Sequence, residues 1–159
     1  MSSLENKDVR KIVVFSLDAP RYALYLFAVE KVVQATEITP LPKAPEKIAG
    51  VINIQGKIIP VIAVRRLFRL PAREINLDDQ FIIARTSKRF VALLVDSVAG
   101  VYELSSDQVV KTESSLPFAD YLSGVSVLEN DIILINDLEK FLSFNEQNEL
   151  DAALKDIKK

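Results

Sequence analysis

The 159-residue chain contains no cysteine and no histidine. The first absence removes disulfides, thiolate zinc sites and cysteine nucleophiles, and says nothing about compartment. The second removes the commonest general base and metal ligand. Neither sign of charge dominates, since 20 basic and 22 acidic residues leave −2. A nucleic-acid binder normally shows a strong basic excess on one face. No apolar run approaches the roughly 18 to 20 residues of a membrane span. The opening "MSSLENKDVRK" lacks the apolar core of a signal peptide. These features predict a soluble, cytoplasmic protein with no nucleic-acid partner, no direct membrane insertion and no cofactor.

What is present is apolar and strand-forming. With 49% hydrophobic and 26% charged residues, the chain is globular, and it is long enough to bury a core without a staple. "IVVFSL" (Ile12–Leu17), a turn at Asp18-Ala19-Pro20 and "YALYLFAV" (Tyr22–Val29) read as a hairpin. "FIIARTSKRFVALLV" (Phe81–Val95) reads the same way about Thr86-Ser87-Lys88. "VINI" and "KIIPVI" flank Gln55-Gly56, a tight-turn pair. Pro60 cannot donate a ladder hydrogen bond, which predicts an edge or an end near it. Ile58, Ile59, Val61 and Ile62 are apolar without alternation, as expected where a small barrel packs against a neighbour. "TEITPLPKAPEK" (Thr36–Lys47) carries three prolines and must be an extended connection. Short helices are predicted over Val64–Leu70 and Asp137–Leu142. A final helix should follow Ser143, which stands at capping-box spacing from Glu146 and precedes a stripe of Leu150, Ala153, Leu154 and Ile157.

The chain also repeats itself. At an offset of 74, Gly50 meets Gly124, Val51 meets Val125, and Ile58, Ile59 and Val61 meet Ile132, Ile133 and Ile135. Upstream the offset is 69, so that Ala23, Leu24, Leu26 and Val29 meet Ala92, Leu93, Val95 and Val98. Each half therefore predicts a hairpin, a further strand, a loop, a second hairpin and a short helix. Neither half can bury its apolar face alone, so the two should lean on each other.

"VEKVVQATEITPLPKAPEKIAGVINIQGKIIPVIAVRRLF" (Val29–Phe68), with "FVALLVDSVAGV" and "YLSGVSVLENDIILINDLEKFL" further on, resembles the CheW family of chemotaxis coupling proteins. It is also similar to the regulatory domain of the histidine kinase CheA. The resemblance implies a mainly β fold of two SH3-like five-stranded β-barrel subdomains, with short helices and a C-terminal helix. Residues 9–142 would form this CheW-like domain and 143–159 a helical tail. It implies a non-catalytic adaptor whose partners are a CheA-type regulatory domain and a chemoreceptor cytoplasmic tip. Carried onto this sequence, the contact residues are Val29, Lys31, Val33, Gln55, Gly56 and Lys57. An amphipathic receptor helix in an apolar groove is the expected mode.

Three positions depart from the family pattern. Lys31 stands at its acidic position, Gln55 at its arginine, and Ala63 at the aspartate before the helix. The acid and the arginine could pair across neighbouring strands in the family. Here both are absent, so no charge is stranded; the change predicts a receptor contact unlike the family's usual one, as expected of a divergent paralogue. Ala63 forfeits about 1 kcal/mol of capping that its repeat counterpart Asp137 can supply.

Other constellations point to no chemistry. Asp78-Asp79 and Glu129-Asp131 read as solvated turns without a histidine or a phosphate loop beside them. The basic cluster Arg65, Arg66, Arg69 and Arg73 reads as a solvated face, or as a patch that steers an acidic partner. The alternative to the adaptor is a stand-alone regulatory module that binds a small ligand or competes for kinase or receptor sites. A polar pocket between the barrels would favour it.

Overall fold

The computed structural model describes residues 9–110, 119–128 and 130–157. Eleven strands appear among them: β1 (Val9–Ser16), β2 (Arg21–Tyr25), β3 (Val29–Gln34), β4 (Ile48–Ile54), β5 (Lys57–Ile62), β6 (Gln80–Arg85), β7 (Phe90–Val95), β8 (Ser97–Ser105), β9 (Val109–Val110), β10 (Leu122–Leu128) and β11 (Asp131–Asn136). Helix α1 covers Val64–Leu67 and α2 covers Phe144–Ile157. The strands form two sheets. Lobe A runs β8-β1-β2-β11-β10-β9, and lobe B runs β3-β6-β7-β5-β4.

The expected repeat is present down to its register, but the halves of the sequence are not the lobes. Each lobe is the first hairpin of one half inserted into the remainder of the other. Ile135 pairs in parallel with Ala23 in lobe A, and Val61 pairs in parallel with Ala92 in lobe B. Phe15 stands opposite Val98 as Ala84 stands opposite Val29, with a bulge at the same place in both ladders. Connection lengths force the exchange. β3 would have to run parallel to β2 to take β8's place beside β1. It would then need a return of about 17 Å along a five-residue strand, whereas the three residues Leu26–Ala28 span at most about 10 Å. The chain therefore crosses to the other lobe. The single strand expected over Tyr22–Val29 is accordingly broken by a 3₁₀ turn at Leu26–Ala28.

Because the hairpins are exchanged, they are covered on both faces. Ile12 and Val14 point into lobe A, and Phe81 and Ile83 point into lobe B. Phe15, Leu24, Ile82 and Leu93 join one cluster along the seam between the lobes. This is why the strands read as unbroken apolar runs.

Each lobe closes on itself where chain beyond its outer strand returns to a hairpin. In lobe B, Thr39 N–H donates to Val51 C=O at 2.9 Å and Val51 N–H donates to Thr39 C=O at 2.8 Å. In lobe A, β9 does the same, Val110 standing opposite Val125. β9, the sixth strand, is thus the counterpart of a single bridge. The paired glycines sit under these crossings. A Cβ on Gly50 would stand 2.2 Å from the Thr39 carbonyl oxygen. One on Gly124 would stand 2.5 Å from Val109 Cγ1 and 3.3 Å from the Val110 carbonyl oxygen.

The C-terminal helix packs as its stripe predicts, with Leu150 and Ala153 buried in the seam cluster and Leu154 against it, while Ile157 remains exposed. Both halves of its capping box form: Glu146 N–H donates to Ser143 Oγ at 3.2 Å, and Ser143 N–H donates to Glu146 Oε1 at 2.7 Å. Lys47 and Arg89, both in lobe B, clamp it through Glu146 and Asp151.

Some local expectations change. α1 stops at Leu67, because Arg69 turns left-handed (φ +56°) and Leu70 N–H closes onto Arg65 C=O at 2.8 Å. Over Asp137–Leu142 only a 3₁₀ turn forms (Leu138–Lys140), with Asp137 capping it and no side-chain cap at Ala63. β5 is internal, not an edge, but its β7 ladder begins only at Val61, just past Pro60. Asp79 is not solvated: it is 3% exposed and accepts from Arg73 and from Asn76 N–H. Asp131 pairs with Arg21, and Glu129 lies outside the described residues.

Candidate docking site

Gln55 (φ +51°) and Gly56 (φ +87°) make the two-residue turn between β4 and β5. Positive φ at both is the geometry that matches strand twist in a tight hairpin, and Asn53 Oδ1 accepts from Gly56 N–H at 2.8 Å to hold it. The turn brings Gln55 and Lys57 to the mouth of lobe B. Lys31 arrives from β3 at the opposite end of the same sheet. The two positions meet because the barrel closes, not because their strands are neighbours.

Lys31, Gln55 and Lys57 line one hollow of about 140 Å³ with Glu30, and Ile59, Ile83 and Phe90 are among its other walls. Lys57 Nζ lies 5.3 Å from the centroid of the Phe90 ring and Arg85 Cζ lies 5.0 Å from it. Both are within cation–π range. Gly56 is exposed at the turn. Val29 and Val33 are elsewhere. Val29 packs against the seam cluster, as does its counterpart Val98, and Val33 packs inside lobe B. Of the six expected contact residues, three share a hollow, one sits at its rim turn and two serve the core. The walls contributed by Phe90 and Ile83 come from the exchanged hairpin, which the offset alignment does not place there.

Three of the four clustered arginines are bonded within the fold, and Arg69 is exposed. Arg65 bridges Asp18 at 2.8 Å and Asp96 at 3.0 Å, Arg73 bridges Asp79 at 2.7 Å and Asp96 at 2.5 Å, and Arg66 donates to the Glu46 carbonyl. Burial pushes the Asp96 carboxyl up, but the Asp18 N–H and the two guanidiniums outweigh it and hold it below its ordinary value. Hydrogen bonding to Asp79 holds Arg73 above its own. The network ties the β1–β2 turn, α1 and the 70–79 loop to the end of β7. Its role is to brace the fold.

Among the described residues no group of three Cys, His, Asp or Glu is placed to hold a metal ion. No helix among them is long and apolar enough to cross a membrane. What the molecule presents is two related barrels with a buried apolar seam and shaped outer surfaces. The sequence matches the family described as CheW-like domain over residues 11–146. The chain belongs to this family. Among CheW relatives, the chemotaxis protein CheW of Thermotoga maritima is 30% identical over 132 residues, 83% of this chain and 87% of that one. The protein of the same name from Klebsiella aerogenes is 26% identical over 148 residues, covering 92% and 89%. The crystal structure of the scaffolding protein TtCheW from Thermoanaerobacter tengcongensis superposes with a TM-score of 0.79 at 32% identity, over 86% of this chain and 90% of that one. The CheW fold therefore accounts for the paired SH3-like lobes.

Proposed function

We propose that this chain is a non-catalytic cytoplasmic adaptor that couples chemoreceptor cytoplasmic tips to the regulatory domain of a CheA-type histidine kinase. The observation that carries the reading is the likeness to a scaffolding protein along nearly the whole of both chains. Family membership and the seam-locked lobes support it. Hairpin exchange makes the lobes hard to separate, so a contact on one is held in fixed geometry to a contact on the other. Coupling is then geometric: small shifts at one interface change the populations of kinase states at the other. Residues 9–142 act as the coupling domain and 143–159 as the tail that braces lobe B. The receptor helix lies across the Lys31, Gln55 and Lys57 surface.

The test is a pull-down with the kinase regulatory domain and a receptor tip, comparing the native chain with Gln55→Arg, Lys31→Glu and the double variant. Capture of both partners by the native chain is expected. Capture of neither defeats the proposal. Receptor capture by the double variant alone shows that this paralogue has left the usual receptor geometry.

A further inference from the structure

The internal symmetry produces a second pair of related features. Beside the turn that follows β5, lobe B has a hollow of about 260 Å³ bordered by Ala49, Ala63, Val64, Arg65 and Leu94. Beside the turn that follows β11, lobe A has one of about 250 Å³ bordered by their counterparts Ser123, Asp137, Leu138, Glu139 and Tyr25. In lobe B the chain itself walls the hollow, through Leu70, Arg73 and Ile75. In lobe A the corresponding segment is helix α2, which leaves for lobe B. Among the described residues the lobe A hollow has no such wall.

Its chemistry differs from that of its counterpart as well. Phe27 lies at its edge 85% exposed, stacked on Tyr25 with centroids 5.7 Å apart. Two guanidiniums line it, Arg10 (over the Tyr25 ring at 5.5 Å) and Arg85. Its two carboxylates are committed within the chain. Asp137 accepts from Glu139 N–H at 3.0 Å, and Glu139 accepts from Ser87 N–H at 2.8 Å and Ser87 Oγ at 2.9 Å. Neither Arg10 nor Arg85 pairs with a carboxylate among the described residues. Where lobe B has Ile62, the wall of this hollow has Asn136, 2% exposed, whose Nδ2 donates to Leu134 C=O while Oδ1 meets no donor among the described residues. The guanidiniums call for an anion, the aromatic pair for an apolar group, and Asn136 Oδ1 for a hydrogen-bond donor such as a partner's backbone N–H.

We propose that the lobe A hollow docks an acidic, apolar-bearing segment of a partner protein, with a carboxylate held by Arg10 and Arg85 and a hydrophobic side chain laid on Phe27. The surface adjoins the Lys31–Gln55–Lys57 hollow at Arg85, which also lies over the Phe90 ring, but Arg10, Phe27 and Asn136 belong to it alone and the test needs neither kinase nor receptor. Its outcome is therefore independent of the coupling role.

The full chain, ¹⁵N-labelled, is titrated with the capped peptide acetyl-Gly-Glu-Leu-Glu-Gly-amide and with its lysine analogue. The acidic peptide should give saturable amide shifts confined to Phe27, Ser123 and Leu138 and their neighbours. Binding should weaken about tenfold in Arg10→Gln/Arg85→Gln, the loss expected for two exposed ion pairs. It should also weaken in Phe27→Ser and on raising salt from about 50 to about 300 mM. All three side chains are exposed, so the variants should fold. Any of four results overturns the proposal: no saturable shift, shifts centred elsewhere, an equal response to the lysine peptide or to oligothymidine, or shifts that grow with protein concentration alone.

Discussion

Replacing Gly50 by alanine should be far more damaging than replacing Gly124, although the two are repeat counterparts beneath equivalent crossings. At Gly50 the new Cβ would lie 2.2 Å from the Thr39 carbonyl oxygen, 2.9 Å from its carbon and 2.7 Å from Ile38 Cγ2. Two of these atoms are backbone, so the closing segment has to move. That breaks the reciprocal Thr39–Val51 hydrogen bonds, worth about 1 kcal/mol each. The backbone there has φ +154°, which adds about 1 to 3 kcal/mol of strain for an L-residue. Loss of glycine's unfolded-state freedom returns about 0.4 to 1 kcal/mol. The net is about 2 to 4 kcal/mol, or a fall in Tm of about 10 °C for a chain of this size. At Gly124 the hard contact is a valine methyl group, which a rotamer change of about 0.5 to 1.5 kcal/mol can relieve. Its net cost is about 0 to 1 kcal/mol. Urea denaturation of both variants, with the slope m checked for constancy, measures the difference. Equal losses, or a larger loss at Gly124, would show that barrel closure does not explain the paired glycines.

Two further outcomes follow from the braces around the core. Arg69→Gly removes the left-handed strain that ends α1, about 1 to 2 kcal/mol, against about 0.5 to 1 kcal/mol of added chain entropy. The variant should gain about 0.5 to 1 kcal/mol by urea denaturation, and a loss would mean that the arginine side chain matters more than the turn. Acid should weaken the fold early. Burial raises the Asp96 and Glu146 carboxyls, but their hydrogen bonds and cationic partners prevail and hold both below their unfolded values of 3.8 and 4.5. The unfolded chain therefore takes up these protons first. The stabilisation is complete at neutral pH and is lost as pH falls from about 4.5 through the folded values. Asp96→Asn should flatten that acid limb in thermal melts taken between pH 7 and 3, and an unchanged limb would remove the Arg65–Asp96–Arg73 network from the account.

Local physics made much of the molecule legible in the order of its residues. Gln55-Gly56 specifies a tight hairpin, Ser143 and Glu146 specify a helix start, and the Leu150–Ala153–Leu154 stripe specifies the face that helix buries. The offsets of 74 and 69 foretold two related units, and the parallel pairs Val61–Ala92 and Ile135–Ala23 seen in the structure are equivalent under them. The resemblance to the CheW family named Lys31, Gln55 and Lys57 as contact residues, but nothing in the sequence named Phe90 on their shared hollow, or the hollow built from Arg10, Phe27 and Arg85. Each of these depends on which hairpin completes which lobe. Because the halves resemble each other, β5 finds similar apolar partners in β2 and in β7, and side-chain pattern alone does not choose between them. Chain geometry chooses: three residues after β2, and one after β7, cannot carry the next strand back beside its own hairpin. That constraint acts only when the strands are packed together in space, and it sets every surface on which partners would meet.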